Sequence, residues 1–136
     1  MQACTFHVGE RVIAIATEEI REIVLPQAVT RLPLGPALVR GLTHVRGDIL
    51  VAIDLHGQLD QSEQRPRAES CLQVILTEAH GGVALLVDSV GDLVELPDDS
   101  AVIEAGELTM KTPTSENGEV LLLNVAEAIP SAPAEA

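Results

Sequence analysis

Residues 41–55 read GLTHVRGDILVAIDL, and this stretch decides the fold class. From residue 44 to residue 55 the side chains alternate with a period of two, which is typical of a β-strand with one face in a core. One face would carry Val45, Ile49, Val51, Ile53 and Leu55, and the other His44, Arg46, Asp48, Leu50, Ala52 and Asp54. We therefore predict a strand over residues 44–55 that buries the first face and presents Arg46 beside Leu50 and Ala52 on the second.

Shorter apolar stretches on both sides of this segment also have the length and punctuation of strands. They cover residues 11–16, 21–25, 72–76, 83–87, 90–96 and 120–123. Asn117-Gly118 is a strong turn signal before the last of them, and Asp54 and Asn124 are suited to cap short helices. Many short strands with almost no long helical pattern predict an all-β fold of small barrels.

The length of 136 residues suits a single domain with a usable core. A polar segment over residues 61–70, containing Arg65-Pro66-Arg67, predicts a junction between two subdomains near residues 58–70. Residues 1–130 would then form the domain, and residues 131–136 a disordered tail.

The composition argues against nucleic-acid binding. The formal net charge is -13, and Phe6 is the only aromatic residue, so the chain offers neither a basic face nor a stacking surface. Residues 1–67 sum to -1 and residues 68–136 to -12. This asymmetry indicates either simple solubility or two surfaces of different potential that suit two different partners.

The residues that could hold a metal or a cofactor do not have the spacing for it. His7, His44, His56 and His80 lack metal-ligand spacing, neither Cys4 nor Cys71 belongs to a CxxC pair, and no glycine-rich phosphate loop is present. We therefore predict no catalytic, metal or cofactor site. Two buried free thiols, no signal peptide and no long apolar run predict a cytoplasmic location.

Two other functions stay open on the residues alone. A groove between barrels could accept a small molecule, which would make the chain a metabolite-sensing barrel. Asp54 or Asp88 could serve a hydrolase if both carboxylates shared one cleft, although capping is the commoner role of Asp at such positions.

Four motifs in order give residues 4–129 a resemblance to the CheW-type coupling proteins of bacterial chemotaxis. The strongest is 41–55, which is similar to the family's pattern of glycine, a short apolar stretch, asparagine, an apolar residue, Arg-Gly, an apolar run and Asp-Leu. The others are Ile20-Arg21-Glu22-Ile23, residues 83–90 with their Val-Asp-x-Val ending, and Leu121-Leu122-Leu123-Asn124-Val125.

The resemblance implies two five-stranded SH3/OB-like barrels that exchange strands around a continuous core, with short helices. It also implies a non-enzymatic adaptor that joins the regulatory domain of a CheA-type histidine kinase to the cytoplasmic tip of a chemoreceptor, a methyl-accepting protein, without inserting into the membrane. By position, Glu22 and Arg46 match charged residues implicated in receptor or kinase coupling. Ile20, Gly41 and Leu72 match positions that line or support the receptor groove, and Ala84 falls where a related glycine is found.

An arginine beside apolar side chains has the composition of a protein-binding hot spot, which is why Leu50 joins this set of site residues. A helical receptor tip would dock as a helix in a groove, with Arg46 fixing its register. Arg46 could also form an internal salt bridge to Glu22 or Asp48, and the two roles are compatible.

Three departures from the family pattern bear on function. His44 replaces the usual asparagine, Ala52 stands where proline is common, and residues 92–124 are several residues shorter, with a polar loop over 112–119. We therefore expect a trimmed second barrel. The departures leave open whether the pathway is chemotaxis or another sensory system, such as one that controls pili.

Overall fold

The computed structural model describes residues 1–31, 39–56, 67–96, 109–114 and 118–129, and these residues form a mostly β structure. The strands are β1 (Gln2–Val8), β2 (Arg11–Ala16), β3 (Ile20–Val24), β4 (Val39–Val45), β5 (Asp48–Asp54), β6 (Leu72–Leu76), β7 (Val83–Val87), β8 (Ser89–Glu95), β9 (Thr109–Thr114) and β10 (Gly118–Leu123). Short 3-10 turns cover Thr17–Glu19, Ala68–Ser70 and Glu78–His80, and the helix α1 covers Val125–Ala128. The all-β prediction is confirmed.

The strands form two five-stranded sheets, and the first sheet combines strands from the beginning and the end of the chain. The first sheet has the order β8-β1-β2-β10-β9, and the second has the order β3-β6-β7-β5-β4. The chain thus starts in the first sheet, builds the whole second sheet and then returns. The return is made by β8, which pairs antiparallel with β1. Each sheet contains one parallel pair, β10 with β2 in the first and β5 with β7 in the second.

Because each sheet takes strands from both halves of the sequence, the charge asymmetry does not divide the molecule into one acidic and one neutral sheet. The prediction of two five-stranded units is confirmed. Among the described pairings, β8 and β9 stay at the edges of the first sheet and β3 and β4 at the edges of the second. In the described residues each unit is therefore an open sheet and not the closed barrel that we predicted.

One core joins the two sheets. It contains Phe6, Ile13 and Ile15 from the first sheet together with Ile53, Val74 and Leu85 from the second, each at most 1% exposed. Full burial of such a side chain contributes about 1.5–3 kcal/mol. The opposite faces pack in smaller clusters, one of which contains Val45, Leu50, Ile75 and Ala84. A continuous core around exchanged strands is what the family resemblance implied.

Residues 44–55 do not form the single strand that we predicted. The chain reverses at Arg46 and Gly47, whose φ angles are 51° and 87°, and β4 pairs antiparallel with β5 from Val45 opposite Asp48. Two central residues with positive φ make the tight hairpin turn that matches the twist of a sheet. The strand prediction failed because a two-residue turn leaves no interruption in an alternating pattern.

The turn also changes which residues share a face. Cross-strand partners lie on the same face, so Val45 shares its face with Asp48 and therefore with Leu50, not with Ile49. Burial agrees, because Ile49 is 69% exposed whereas Leu50 is 3% exposed. The predicted faces are thus wrong at the start of β5, although Ile53 and Leu55 are buried as expected.

The first sheet keeps five strands despite the shorter sequence. β9 pairs with β10 from Thr114 opposite Gly118 to Thr109 opposite Leu123. The polar loop predicted over residues 112–119 is therefore wrong at both ends, since polar residues occupy paired strand positions there. Residues 57–66, which contain most of the expected junction, and the expected tail over 131–136 lie outside the described residues.

Candidate functional site

Four charged side chains join the tip of the β4–β5 hairpin to the edge strand β3. Arg46 Nε donates to Glu22 Oε1 at 2.8 Å, and Arg21 Nη2 lies 3.0 Å from the other oxygen of that carboxylate. Arg21 Nη1 in turn lies 3.3 Å from Asp48 Oδ2. We call Arg21, Glu22, Arg46 and Asp48 the tip cluster. It links two strands at opposite edges of the second sheet through side chains.

The backbone at Arg46 is in the left-handed region, which a non-glycine residue rarely adopts. This conformation costs roughly 1–2 kcal/mol for an ordinary L-residue, and asparagine or glycine would reduce that cost. The guanidinium nevertheless projects from the turn with 76% of the side chain exposed. An arginine held in a strained turn with its charge in solvent is a feature that the fold alone does not need.

The ion pairs set the protonation of the tip cluster. The hydrogen bond from Arg46 lowers the pKa of the Glu22 carboxyl below its ordinary value, with a further contribution from Arg21. The same bond raises the pKa of the Arg46 guanidinium. Both groups are therefore charged at neutral pH. Because the Arg46 side of the pair is open to solvent, salt screens the pair, and its contribution to stability is small.

Two shallow grooves flank the hairpin tip. One, of about 310 Å³, is lined by Arg21, Asp48, Ile49, Leu50, Leu76, Glu78, Gly81 and Gly82. The other, of about 300 Å³, is lined by Ala28, Thr30, Leu42, Thr43, His44 and Ile49. Ile49 lines both grooves and is therefore an exposed apolar ridge between them. Leu25, just after β3, is a second exposed apolar side chain, 76% accessible.

The structure brings some predicted site residues together and separates others. Glu22 and Arg46 are in direct contact. Leu50 and Ala84 share the buried cluster beneath the tip, at 3% and 0% exposure. Ile20 and Leu72 pack against the core between the sheets, and Gly41 lies in β4. All seven residues belong to the strands of the second sheet or to its hairpin turn.

The exposed patch of Arg46 with Leu50 and Ala52 is wrong. Leu50 is 3% exposed and Ala52 is completely buried, because the hairpin turn directs that face of β5 into the core. The apolar residue that the tip exposes is Ile49. The predicted internal salt bridge from Arg46 to Glu22 is confirmed, whereas Asp48 pairs with Arg21.

Gly41 allows Thr30, which lines the second groove, to lie close to β4. With φ at 152°, a Cβ at this position would lie 2.1 Å from the Thr30 carbonyl oxygen and 3.1 Å from the Arg31 Cα. Thr30 and Leu42 exchange backbone hydrogen bonds of 2.7 and 2.8 Å across this contact. The segment before residue 31 can therefore lie directly on β4 only because residue 41 has no side chain.

Sequence reasoning missed Arg21, Asp48 and Ile49 as site residues. The signal that could have found them is Arg46-Gly47, which fits a two-residue hairpin turn with glycine at its second position. Placing the turn there would have reversed the faces of β5 and exposed Ile49. The pairing of Arg21 with Asp48 depends on how β3 approaches the hairpin, and no sequence spacing encodes that approach.

The two carboxylates considered for hydrolysis have structural partners. Asp54 Oδ2 accepts a hydrogen bond from Arg40 at 3.1 Å. Asp88 Oδ1 lies 2.7 Å from His56 Nε2, and its Oδ2 accepts from the Gly9 amide at 2.8 Å. Within the described ranges, no three His, Cys, Asp or Glu side chains are placed to bind a metal ion. The described helices are also too short or too polar to cross a membrane.

Comparison with known proteins gives one consistent result. The model of the CheW-like domain family matches residues 2–131. The probable chemotaxis protein CheW of Rhizobium etli is 29% identical over 94 residues, which cover 69% of this chain and 60% of that protein. Protein FrzA of Myxococcus xanthus is 31% identical over 94 residues, which cover 68% of this chain and 57% of that protein. The matched part thus spans about 60% of the length of these relatives.

A solved structure shares the fold. The scaffolding protein TtCheW from Thermoanaerobacter tengcongensis superposes with a TM-score of 0.78 at 16% identity, covering 96% of this chain and 88% of that one. At this identity the likeness establishes the arrangement of the two sheets, and the side chains of the site have to be argued from their own geometry.

Proposed function

This chain belongs to the CheW-like domain family, and on that premise we propose that it is a non-enzymatic adaptor in chemotaxis-like signal transduction. It would join the regulatory domain of a CheA-type histidine kinase to the cytoplasmic tip of a chemoreceptor. We expect it to act in the cytoplasm, without a cofactor.

The observation that carries this proposal is the hairpin tip. It carries an exposed guanidinium, at 76% accessibility, three residues before the exposed Ile49 that lines both grooves. A helical partner could lay an apolar face over Ile49, and a carboxylate on that helix could bind Arg46. Apolar anchors with a central arginine are typical of the few residues that dominate binding at a protein interface.

The rest of the second sheet supports such a surface by keeping it rigid. Leu50 and Ala84 fill the small core beneath the tip, and Glu22 holds Arg46 from β3, the strand at the opposite edge of the sheet. A preorganised arginine loses less conformational entropy on binding than a mobile one. In this proposal Glu22 is therefore a positioning residue, and Arg46 and Ile49 contact the partner.

The test is binding of the purified chain to a kinase regulatory domain and to a receptor tip fragment, each measured separately by calorimetry. Arg46→Glu reverses the exposed charge and should weaken one of the two complexes at least about tenfold. Arg11→Glu, on the exposed end of β2 in the first sheet, is the matched control and should leave that complex unchanged. If the wild-type chain binds neither partner, the proposed function is wrong.

A small-molecule-sensing barrel is the second candidate, because the grooves of about 310 and 300 Å³ lie at the lower end of the range of ligand pockets. A thermal-shift screen against a metabolite library tests it. A reproducible stabilisation abolished by Ile49→Ser, with no binding of either protein partner, would favour this function over the adaptor. An adaptor role in a different sensory pathway, such as one that controls pili, would appear as binding to that pathway's kinase instead.

A further inference from the structure

A separate pocket of the second sheet is surrounded by arginines. It has a volume of about 170 Å³ and is lined by Val29, Arg31, Arg40, Arg67, Ala68 and Glu69. None of these residues belongs to the tip cluster or lines either of the grooves beside it. The chain has only eight Lys and Arg residues against 21 Asp and Glu, so three arginines at one pocket are a marked local concentration of positive charge.

Arg40 is held at this pocket by a buried carboxylate. Its Nη1 donates to Asp54 Oδ2 at 3.1 Å, and the Asp54 side chain is 2% exposed. The Arg40 side chain itself is 21% exposed, so it also reaches the surface. A guanidinium bound to a buried partner has lost much of its rotamer freedom before any ligand arrives.

Arg31 is held through the backbone. The preceding residue, Thr30, pairs with Leu42 of β4 through two hydrogen bonds, and the Arg31 Cα lies directly over Gly41. Gly41 thus brings Arg31 close to Arg40, the residue that precedes Gly41 in the sequence. This close approach explains how two arginines nine positions apart line the same pocket.

The backbone of Arg67 is fixed by hydrogen bonds to its carbonyl oxygen. That oxygen accepts hydrogen bonds from the Ser70 amide and the Ser70 hydroxyl at 2.9 and 2.8 Å, and from the Cys71 thiol at 3.6 Å. The side chain is 85% exposed and lies 3.9 Å from Glu69, a weak pair at the surface. The backbone is therefore fixed while the guanidinium remains available to a ligand.

Three arginines against one carboxylate, that of Glu69, leave the pocket lining with a net positive charge, which favours a small anion with several acceptor oxygens. Three guanidinium groups from three separate segments can surround a tetrahedral group, whereas a planar carboxylate is suited to one or two of them. The volume of about 170 Å³ corresponds to about six water molecules at about 30 Å³ each, which is too small for a helix about 10 Å wide. The sole aromatic residue, Phe6, is buried in the core, so a nucleobase would find no stacking partner.

We propose that Arg31, Arg40 and Arg67 form a binding site for the phosphoryl group of a small molecule, either inorganic phosphate or a phosphate monoester. The site is distinct from the hairpin tip and does not depend on the adaptor function. Ala68 and Val29 form its apolar side, so a short aliphatic ester group can be accommodated next to the phosphoryl oxygens.

The test is isothermal titration of the full chain with inorganic phosphate, glycerol 3-phosphate and acetate at one constant ionic strength. We expect saturable binding of at least one phosphate probe, and binding of acetate at least about tenfold weaker. The double variant Arg31→Gln/Arg67→Gln should reduce phosphate affinity at least about tenfold, since it removes two charge-assisted donors. Arg11→Gln, in the first sheet, is the control and should bind as the wild type does.

Each outcome decides the proposal. Tighter binding of the monoester would identify a metabolite as the ligand, and tighter binding of inorganic phosphate would identify the free anion. If no phosphate probe saturates, if acetate binds equally well, or if the folded double variant binds phosphate as the wild type does, the site does not exist. Binding of an acidic partner peptide that is lost in the double variant, without phosphate binding, would also overturn it and make the pocket a protein contact.

Discussion

Arg46 Nε lies 2.8 Å from Glu22 Oε1, and this contact joins the β4–β5 turn to β3, the strand at the opposite edge of the second sheet. In the described residues the two edges are joined further by the pairing of Arg21 with Asp48 and by the short bridge between Thr30 and Leu42. The two edges of the second sheet are therefore connected by side chains and one isolated bridge. In a closed barrel, a continuous ladder of backbone hydrogen bonds would connect them. In the proposed function, Arg46 has two roles, since it makes this connection and also contacts the partner.

Replacing Arg46 with asparagine should separate stability from binding. Asparagine tolerates the left-handed turn, so relief of backbone strain offsets the loss of an exposed ion pair, and the free energy of unfolding should change little. Affinity for the receptor or kinase fragment should fall at least about tenfold. Urea denaturation and calorimetry measure the two quantities. A large loss of stability would show that Arg46 is mainly a structural clamp.

Glu22→Gln should change how stability depends on pH. The Arg46 hydrogen bond lowers the folded-state pKa of Glu22, so its contribution is present above the unfolded-state pKa of about 4.3 and is lost as the pH falls through the lower folded-state value. The stability difference between wild type and Glu22→Gln should therefore be largest at neutral pH and disappear in acid. Urea midpoints at several pH values measure it, and a difference that grows in acid would contradict the assignment.

Neighbouring residues Ile49 and Leu50 test the hairpin register. Ile49→Ser should change the free energy of unfolding by about 0.5 kcal/mol or less, because the side chain is 69% exposed, yet it should weaken partner binding. Leu50→Ala should cost about 2–5 kcal/mol, because it empties a buried site. Denaturant melts of the two variants decide the matter. The reverse order of stability would restore the single-strand interpretation of residues 44–55.

Gly41→Ala should be far more destabilising than Gly81→Ala. Both glycines have positive φ, at 152° and 81°, but a Cβ at residue 41 would lie 2.1 Å from the Thr30 carbonyl oxygen, whereas a Cβ at residue 81 would meet nothing within 4 Å. We expect a loss of about 2 kcal/mol or more at residue 41 and of about 1 kcal/mol at residue 81. Thermal melts compare the two, and equal losses would mean that the close approach of residues 30 and 31 is not needed.

Cys71 should react with thiol reagents only when the protein unfolds. Burial, with a smaller contribution from Asp88, raises the pKa of this thiol to about 11, and the residue is 3% exposed. The thiolate that such reagents need is therefore scarce and shielded at neutral pH. Labelling with Ellman's reagent should follow the urea unfolding curve, and the Cys4→Ala variant isolates the Cys71 signal. Rapid labelling of the native protein would contradict its burial.

The raised pKa of Cys71 also predicts a change at alkaline pH. Because the folded-state pKa lies above that of the unfolded chain, the thiol favours the folded state fully below about pH 8.5 and loses this contribution as the pH rises towards 11. Cys71→Ala should therefore show a weaker decline of stability over this interval than the wild type. Urea midpoints measured across it provide the comparison.

Much of this structure was determined by the sequence alone. Short apolar runs bounded by polar and turn residues located β2, β6 and β7 within the described chain at their observed bounds, because run length and punctuation are local properties of the sequence. The ordered motifs identified the family, and with it the two five-stranded units. The link between Glu22 and Arg46 also followed from the sequence, as one of two partners considered for that arginine.

The tertiary structure decided which face of β5 is buried and which residues distant in sequence come together. Arg46-Gly47 is compatible with a turn but reversed the chain without breaking the alternating pattern, so the pairing of β4 with β5 was needed to decide that Leu50 is buried and Ile49 exposed. β9 was missed because polar residues can occupy a strand when a neighbour supplies the hydrogen bonds. The meeting of Arg31, Arg40 and Arg67 depends on contacts between segments distant in sequence, and those contacts form only when the whole sheet does.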